Sequence, residues 1–145
     1  MHIKLIGSAL LGISLTVFAA TARPDTVVIV SAKSPIGSLS ENQVAEIFLG
    51  RLTMLPDGIS VIPIDQAEGS VARNEFHAKT THKSAPLLKA YWSKLIFTGK
   101  GQPPREAADD AAVKKLVAES PNAIGYVDRS AMDNTVRAVM TAGGR

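Results

Sequence analysis

The segment Thr26-Val27-Val28-Ile29-Val30 sets the tightest constraint on the fold, because it is an unbroken β-branched run with no polar alternation. A strand with one face in water alternates apolar and polar positions. A continuous run therefore belongs to a strand covered on both faces, as in a parallel sheet sandwiched between helices. The chain that follows supplies the helices. Ser34-Pro35-Ile36-Gly37 breaks the strand, and Ser40-Glu41-Asn42-Gln43 has the Ser-x-x-Gln form of a capping box. Val44, Ile47 and Phe48 then recur at helical spacing, and Gly50 stands where a helix stops.

The alternation continues to the end of the chain. Pro56-Asp57-Gly58 is a turn in which Pro presets φ and Gly accepts φ > 0. Ile59 to Ile64 reads as a second strand, with Pro63 placing that end at an edge or a strand terminus. A polar loop, Asp65 to Gly69, leads into a helix from Ser70 to Lys79, with Ala72 and Phe76 inward and Glu75 and Lys79 paired outside. Ser84-Ala85-Pro86 opens a further helix with the buried stripe Leu88, Tyr91, Trp92, Leu95 and Ile96. Phe97-Thr98-Gly99-Lys100-Gly101-Gln102-Pro103-Pro104 ends it as a stiff loop, a type that often carries contacts. A last helix spans Ala108 to Glu119, with Val113, Leu116 and Val117 on one face. Two strands follow, Ala123 to Val127 and Thr135 to Met140, before a loose tail, Ala142 to Arg145. Strands separated by helices give an α/β three-layer sandwich with a mainly parallel sheet.

The N-terminus reads as a leader rather than as part of that domain. Met1-His2-Ile3-Lys4 is followed by an apolar run from Leu5 to Phe18 and a small-residue exit, Ala20-Thr21-Ala22. This is the order of a secretory signal peptide, with cleavage after Ala22. The apolar run is short of the roughly 20 residues that a membrane span takes. Residues 1–22 are thus expected to leave, giving a protein exported to the periplasm and not membrane-bound after cleavage. Residues 23–145 then form a single domain, 123 residues of the original 145. There is no cysteine, which excludes disulfides, thiolate metal sites and Cys nucleophiles. The formal charge of +3 falls to +2 without Lys4, and no basic run exceeds Lys114-Lys115. A nucleic-acid footprint needs a basic stripe, so that partner is excluded.

Catalytic constellations are missing from the pattern. His77 and His82 stand five apart, whereas two helical ligands to one metal want i,i+4, so both read as surface histidines and no metal or other cofactor is expected. Ser70 lacks the second glycine of a nucleophile elbow and is better explained as a helix N-cap. The chain is read as a non-enzyme. Binding fares better. Ser70 would cap a helix that follows a strand and a glycine-bearing loop, where free N–H groups and the helix dipole favour an anion. Arg73, one turn in, adds charge. Every helix has such an end, so the same features also describe a plain capped helix.

Several segments taken together resemble the phosphate-type periplasmic solute-binding proteins of ABC transporters. Leu39-Ser40-Glu41-Asn42-Gln43-Val44-Ala45-Glu46-Ile47-Phe48-Leu49-Gly50 is similar to that family's "IFlG" segment, and Ala123-Ile124-Gly125-Tyr126-Val127 to its "aIGYv" strand. The likeness runs from about Val27 to Val139, and is greatest to short stand-alone members. It implies a single lobe of a type II periplasmic binding protein. In the family, phosphate is held between two lobes, one of which offers a loop of the form Arg-x-x-x-Ser-Gly-Thr. Ser70 matches the Ser, Gln66 stands at the Arg position, and Val71 and Ala72 replace Gly and Thr, with Arg73 directly after. The resemblance therefore implies a ligand site of Gln66, Ser70, Val71, Ala72 and Arg73 for phosphate or another small oxyanion. It also implies partners such as an ABC permease, a sensor protein or a second lobe on another chain. The alternative expectation is an accessory periplasmic protein that recognises another protein and has lost ligand binding.

Overall fold

The structure is a computed structural model that describes residues 12–17 and 25–141. Most of the expected leader, its cleavage point after Ala22 and the tail from Ala142 lie outside the described residues. Among the described residues, no helix is long and apolar enough to cross a membrane.

Among the described residues five strands form one sheet: β1 (Thr26–Ser31), β2 (Ile62–Gln66), β3 (Arg105–Ala107), β4 (Ala123–Asp128) and β5 (Val136–Thr141), in the order β3-β2-β4-β1-β5. β2 is parallel to β3 and β4, whereas β1 runs antiparallel to β4 and β5. Four strands thus point one way and β1 opposes them, so that two of the pairings are parallel and two antiparallel. The β-branched run does mark a strand buried on both faces, but its two neighbours are antiparallel ones. Helices α1 (Glu41–Phe48), α2 (Val71–Phe76), α3 (Ala85–Phe97) and α4 (Asp110–Glu119) complete the fold.

The period of two along β1 divides the core. Val28 and Val30 pack with Val44, Ile47 and Phe48 of α1 and Phe76 of α2. Val27 and Ile29 face the other way, toward Val113 and Val117 of α4. This is the expected three-layer sandwich. Ser40 makes the capping box as read: its hydroxyl accepts from Gln43 N and its own N–H donates to the Gln43 side chain.

The boundaries differ in informative places. β2 starts three residues later than its apolar composition suggests and contains Pro63. The N–H of Ile62 faces β4, donating to Asn122 O, so the ring nitrogen of Pro63 faces the opposite side. There β3 begins only opposite Ile64, and no donor is needed. β3 itself escaped the sequence reading because three residues, two of them charged, carry no alternation. In β5 a bulge opposite Val28 and Ile29 breaks the expected alternation, and Val139 and Met140 both pack against one cluster. The helix expected over Ser70 to Lys79 becomes π-helical at His77–Thr81 and ends at His82, with φ 57°. Of the stripe assigned to α3, Leu88 and Trp92 are buried, while Ile96 is half exposed.

Candidate functional site

At the C-terminal ends of β2 and β4, the first turns of α2 and α4 flank an open depression. It is lined by Gln66, Ser70, Val71, Ala72, Ala108, Asp109, Asp110 and Asp128. Gly69 makes the approach possible, with φ 87° in the region that side chains disfavour. Ser70 then caps α2, its Oγ accepting from Arg73 N at 3.0 Å. Among the described residues, the N–H groups of Val71 and Ala72 donate to no protein acceptor. These are the orphan donors of a helix start, and they border the depression.

The remaining candidate residues divide between two places. Gln66 is buried, and its amide hydrogens go to Asp110 Oδ1 at 2.7 Å and Tyr126 O at 3.2 Å. It fastens the first turn of α4 to the central strand rather than offering donors outward. Arg73 leaves the depression altogether. Its guanidinium donates to Gln66 O at 3.1 Å and Glu106 Oε1 at 2.8 Å, and it lines a separate small cavity with Glu68, His77, Trp92 and Glu106. The cause is sheet pairing, since β3 sets Glu106 beside Asp65. Burial lowers the basicity of Arg73, and the charges of Asp65 and Glu106 outweigh that and raise it.

Beneath both places lies a polar cluster that sequence reasoning missed. Asp65 is 1% exposed and accepts from Gln66 N at 2.9 Å, His77 Nε2 at 3.0 Å and the Tyr126 hydroxyl. Tyr126 stacks on Phe76 with ring centroids 4.0 Å apart. Burial pushes the Asp65 carboxyl up, but the hydrogen bonds from His77 and the Tyr126 hydroxyl and the charge of Arg73 hold it below the ordinary carboxylate range. The Tyr126 phenol is pushed up, first by burial and then by the Asp65 charge. The reading of His77 as a surface residue is corrected here: it is 2% exposed, pinned between Asp65 and Thr81 Oγ1. His82 is exposed, as expected. A lone acid at the end of an apolar strand was the one available signal for the cluster.

Three acids, Asp109, Asp110 and Asp128, also face the depression. Asp109 is the N-cap of α4, accepting from Ala112 N at 2.9 Å, and Asp110 lies in the first turn. Among the described residues, no group of three or more His, Cys, Asp or Glu is placed to hold a metal ion.

This architecture, an α/β lobe with helix starts gathered at the C-terminal edge of its sheet, is of the periplasmic-binding-protein type. The chain has the fold of phosphate ABC transporter substrate-binding proteins, as a single lobe. One such protein from Clostridium perfringens, solved with bound phosphate, superposes with a TM-score of 0.64 at 23% identity over 84% of this chain and 46% of its own. An ABC-type phosphate transport receptor from Vibrio cholerae gives 0.63 at 16% identity, over 80% of this chain and 45% of its own. PstS from Borrelia burgdorferi gives 0.58 at 13% identity, over 81% and 47%. This chain thus spans a little under half the length of each. At these identities the shared property is the fold. No protein-family model and no curated protein sequence matches the chain.

Proposed function

We propose that the protein is an exported, periplasmic solute-binding-like lobe that holds a small protonated oxyanion, hydrogen phosphate, in the depression between α2 and α4. The supporting observation is the pair of unpartnered N–H groups on Val71 and Ala72 beside Ser70, at the open end of the helix dipole. Gln66 fixes the floor, and Arg73 contributes charge from behind it. The acids set the choice of anion. Carboxylates beside amide donors reward a ligand that both accepts and donates, through charge-assisted O–H···O bonds. Inorganic phosphate keeps a proton at neutral pH and sulfate keeps none. Enclosed sites bind best, so a single open lobe binds weakly until a second surface closes it. A second lobe on another chain, an ABC permease or a sensor protein would supply that surface. The leader is removed after Ala22 on this reading, and the protein is not an enzyme.

Calorimetry of the purified protein tests the proposal directly. Phosphate should give heat at millimolar concentration, weakening with added salt, and sulfate should give none. Val71→Pro deletes one of the two donors at a position where proline suits a helix start. It should abolish the heat while far-UV circular dichroism stays unchanged, and Ser70→Ala should weaken binding. Equal heats for phosphate and sulfate, or full binding by Val71→Pro, would defeat this reading. A second reading, an accessory protein that has lost its ligand and recognises another protein, is favoured by the same three carboxylates, which oppose any fully ionised anion.

A further inference from the structure

A groove of about 640 Å³ lies at the other end of β2, where that strand begins. Tyr91, Trp92 and Leu95 of α3 line it, and the loop from Lys100 to Pro104 forms one wall. The wall is preformed. Gly99 turns the chain at φ 68°, Lys100 N donates to Leu95 O at 2.9 Å, and two prolines follow. The indole tip of Trp92 fits between Gly50 and Gly101, where an added Cβ would come within 3.2 Å and 3.9 Å of it. The groove stays uncovered by the sheet because β3 starts only opposite Ile64, leaving the Pro63 edge without a strand.

Its charge is one-sided. Arg51, Lys100 and Arg105 line it, and among the described residues no Asp or Glu does. Arg51 lies over the Tyr91 ring at 5.5 Å and reaches Glu46 at 3.4 Å. Among the described residues, Lys100 and Arg105 have no acidic partner. A preformed aromatic surface flanked by unpaired cations fits a segment with a large apolar side chain between carboxylates. The volume falls in the usual range for ligand sites, but the groove is open along its length, and free small molecules bind best when mostly enclosed. A peptide segment attached to a partner's own surface closes such a groove from outside.

We infer that this groove docks an extended, acidic segment of a partner protein, its apolar side chain on the part-exposed Tyr91 and Leu95 beside the buried Trp92 and its carboxylates at Lys100 and Arg105. The inference deepens the partner-recognition reading and stands whether or not the opposite end of β2 holds an oxyanion. Trp92 is the only tryptophan, so the groove reports on itself. The test titrates the purified protein with a blocked peptide of sequence Asp-Glu-Leu-Phe-Glu-Asp and follows Trp92 emission. The controls are the same peptide with lysine at each acidic position, and phosphatidylcholine vesicles containing phosphatidylglycerol. The acidic peptide should shift the emission saturably, and the basic peptide and vesicles should not. Lys100→Glu with Arg105→Glu, at exposed side chains, should weaken the acidic peptide about tenfold or more. The same double variant should bind the basic peptide and should keep the wild-type circular dichroism and phosphate heats. No response at millimolar peptide, equal responses to both peptides, a response that survives the double reversal, or binding to vesicles alone would overturn the inference. Because phosphate is titrated separately, failure here leaves the oxyanion proposal intact.

Discussion

Replacing Asp65 separates the physics of the buried cluster from simple loss of packing. Asp65→Ala strands two donors, His77 Nε2 and the Tyr126 hydroxyl, in a dry interior, while Gln66 N keeps the Tyr126 oxygen as an acceptor at 3.1 Å. Removing one member of a buried charged network costs about 3–5 kcal/mol, a large share of the roughly 5–15 kcal/mol that holds a domain together. Asp65→Asn should cost less, for a reason visible in the geometry. Its carbonyl still accepts from Gln66 N and Tyr126, but its NH2 now meets His77 Nε2. His77 can answer by moving its proton to Nδ1, where Thr81 Oγ1 lies 2.9 Å away. The Thr81 hydroxyl then donates to His77 O at 3.1 Å. What remains lost is charge assistance and the attraction of Arg73, about 1.5–3 kcal/mol. Urea unfolding followed by far-UV circular dichroism measures both values. The pH dependence adds a second check. The folded-state pKa of Asp65 lies below its unfolded value of about 3.9. Its stabilisation is therefore complete above that value and is lost as pH falls through the lower, folded one. Asp65→Asn should flatten that acid limb. Equal losses for Asn and Ala, or losses below about 1 kcal/mol for both, would refute this account of the cluster.

Tyr126 should stay protonated in the folded protein at alkaline pH, because burial and the Asp65 charge raise its phenol. Its contribution is present below the unfolded value of about 10 and falls as pH rises above that; ultraviolet absorbance should show its phenolate only as circular dichroism is lost. Gly125→Ala would set a Cβ 2.6 Å from Val113 Cγ1, a stiff, fully buried neighbour. Unfolding by urea should register a loss of about 1–3 kcal/mol from overpacking, with amide shifts in the first turn of α4. Gly50→Ala puts a side chain at φ 72° and 3.2 Å from Trp92 Cη2. A loss of about 1–2 kcal/mol is expected from the left-handed backbone, with a changed Trp92 emission.

What the sequence made legible was local. The Ser40 box, the Ser70 cap and the two-faced burial of β1 each depend on residues within one turn or one strand, and each was readable from order alone. What it hid was set by pairing across the sheet. Glu106 meets Arg73 only because β3 lies beside β2, and β3 has too few residues to announce itself. His77 was judged by its spacing to His82, although its environment is decided by Asp65, twelve residues away on another element. The family likeness gathered Gln66, Ser70, Val71, Ala72 and Arg73 into one motif. The fold keeps four of them around one depression and turns the fifth inward.

That division bears on what kind of anion a single lobe can hold. With Arg73 paired to Glu106 and the Gln66 hydrogens given to Asp110 and Tyr126, no full positive charge lines the depression among the described residues. Its attraction rests on backbone dipoles, which favour anions by roughly 0.3–1 kcal/mol at an exposed helix end, set against three carboxylates. A bare dianion loses that contest. A ligand that donates its own proton to one of those acids turns a repulsion into a hydrogen bond, and it can do so while accepting from Val71 and Ala72. The acids thus convert a generic helix start into a site that discriminates by protonation, and binding there should fall as pH rises and the ligand gives up its last proton.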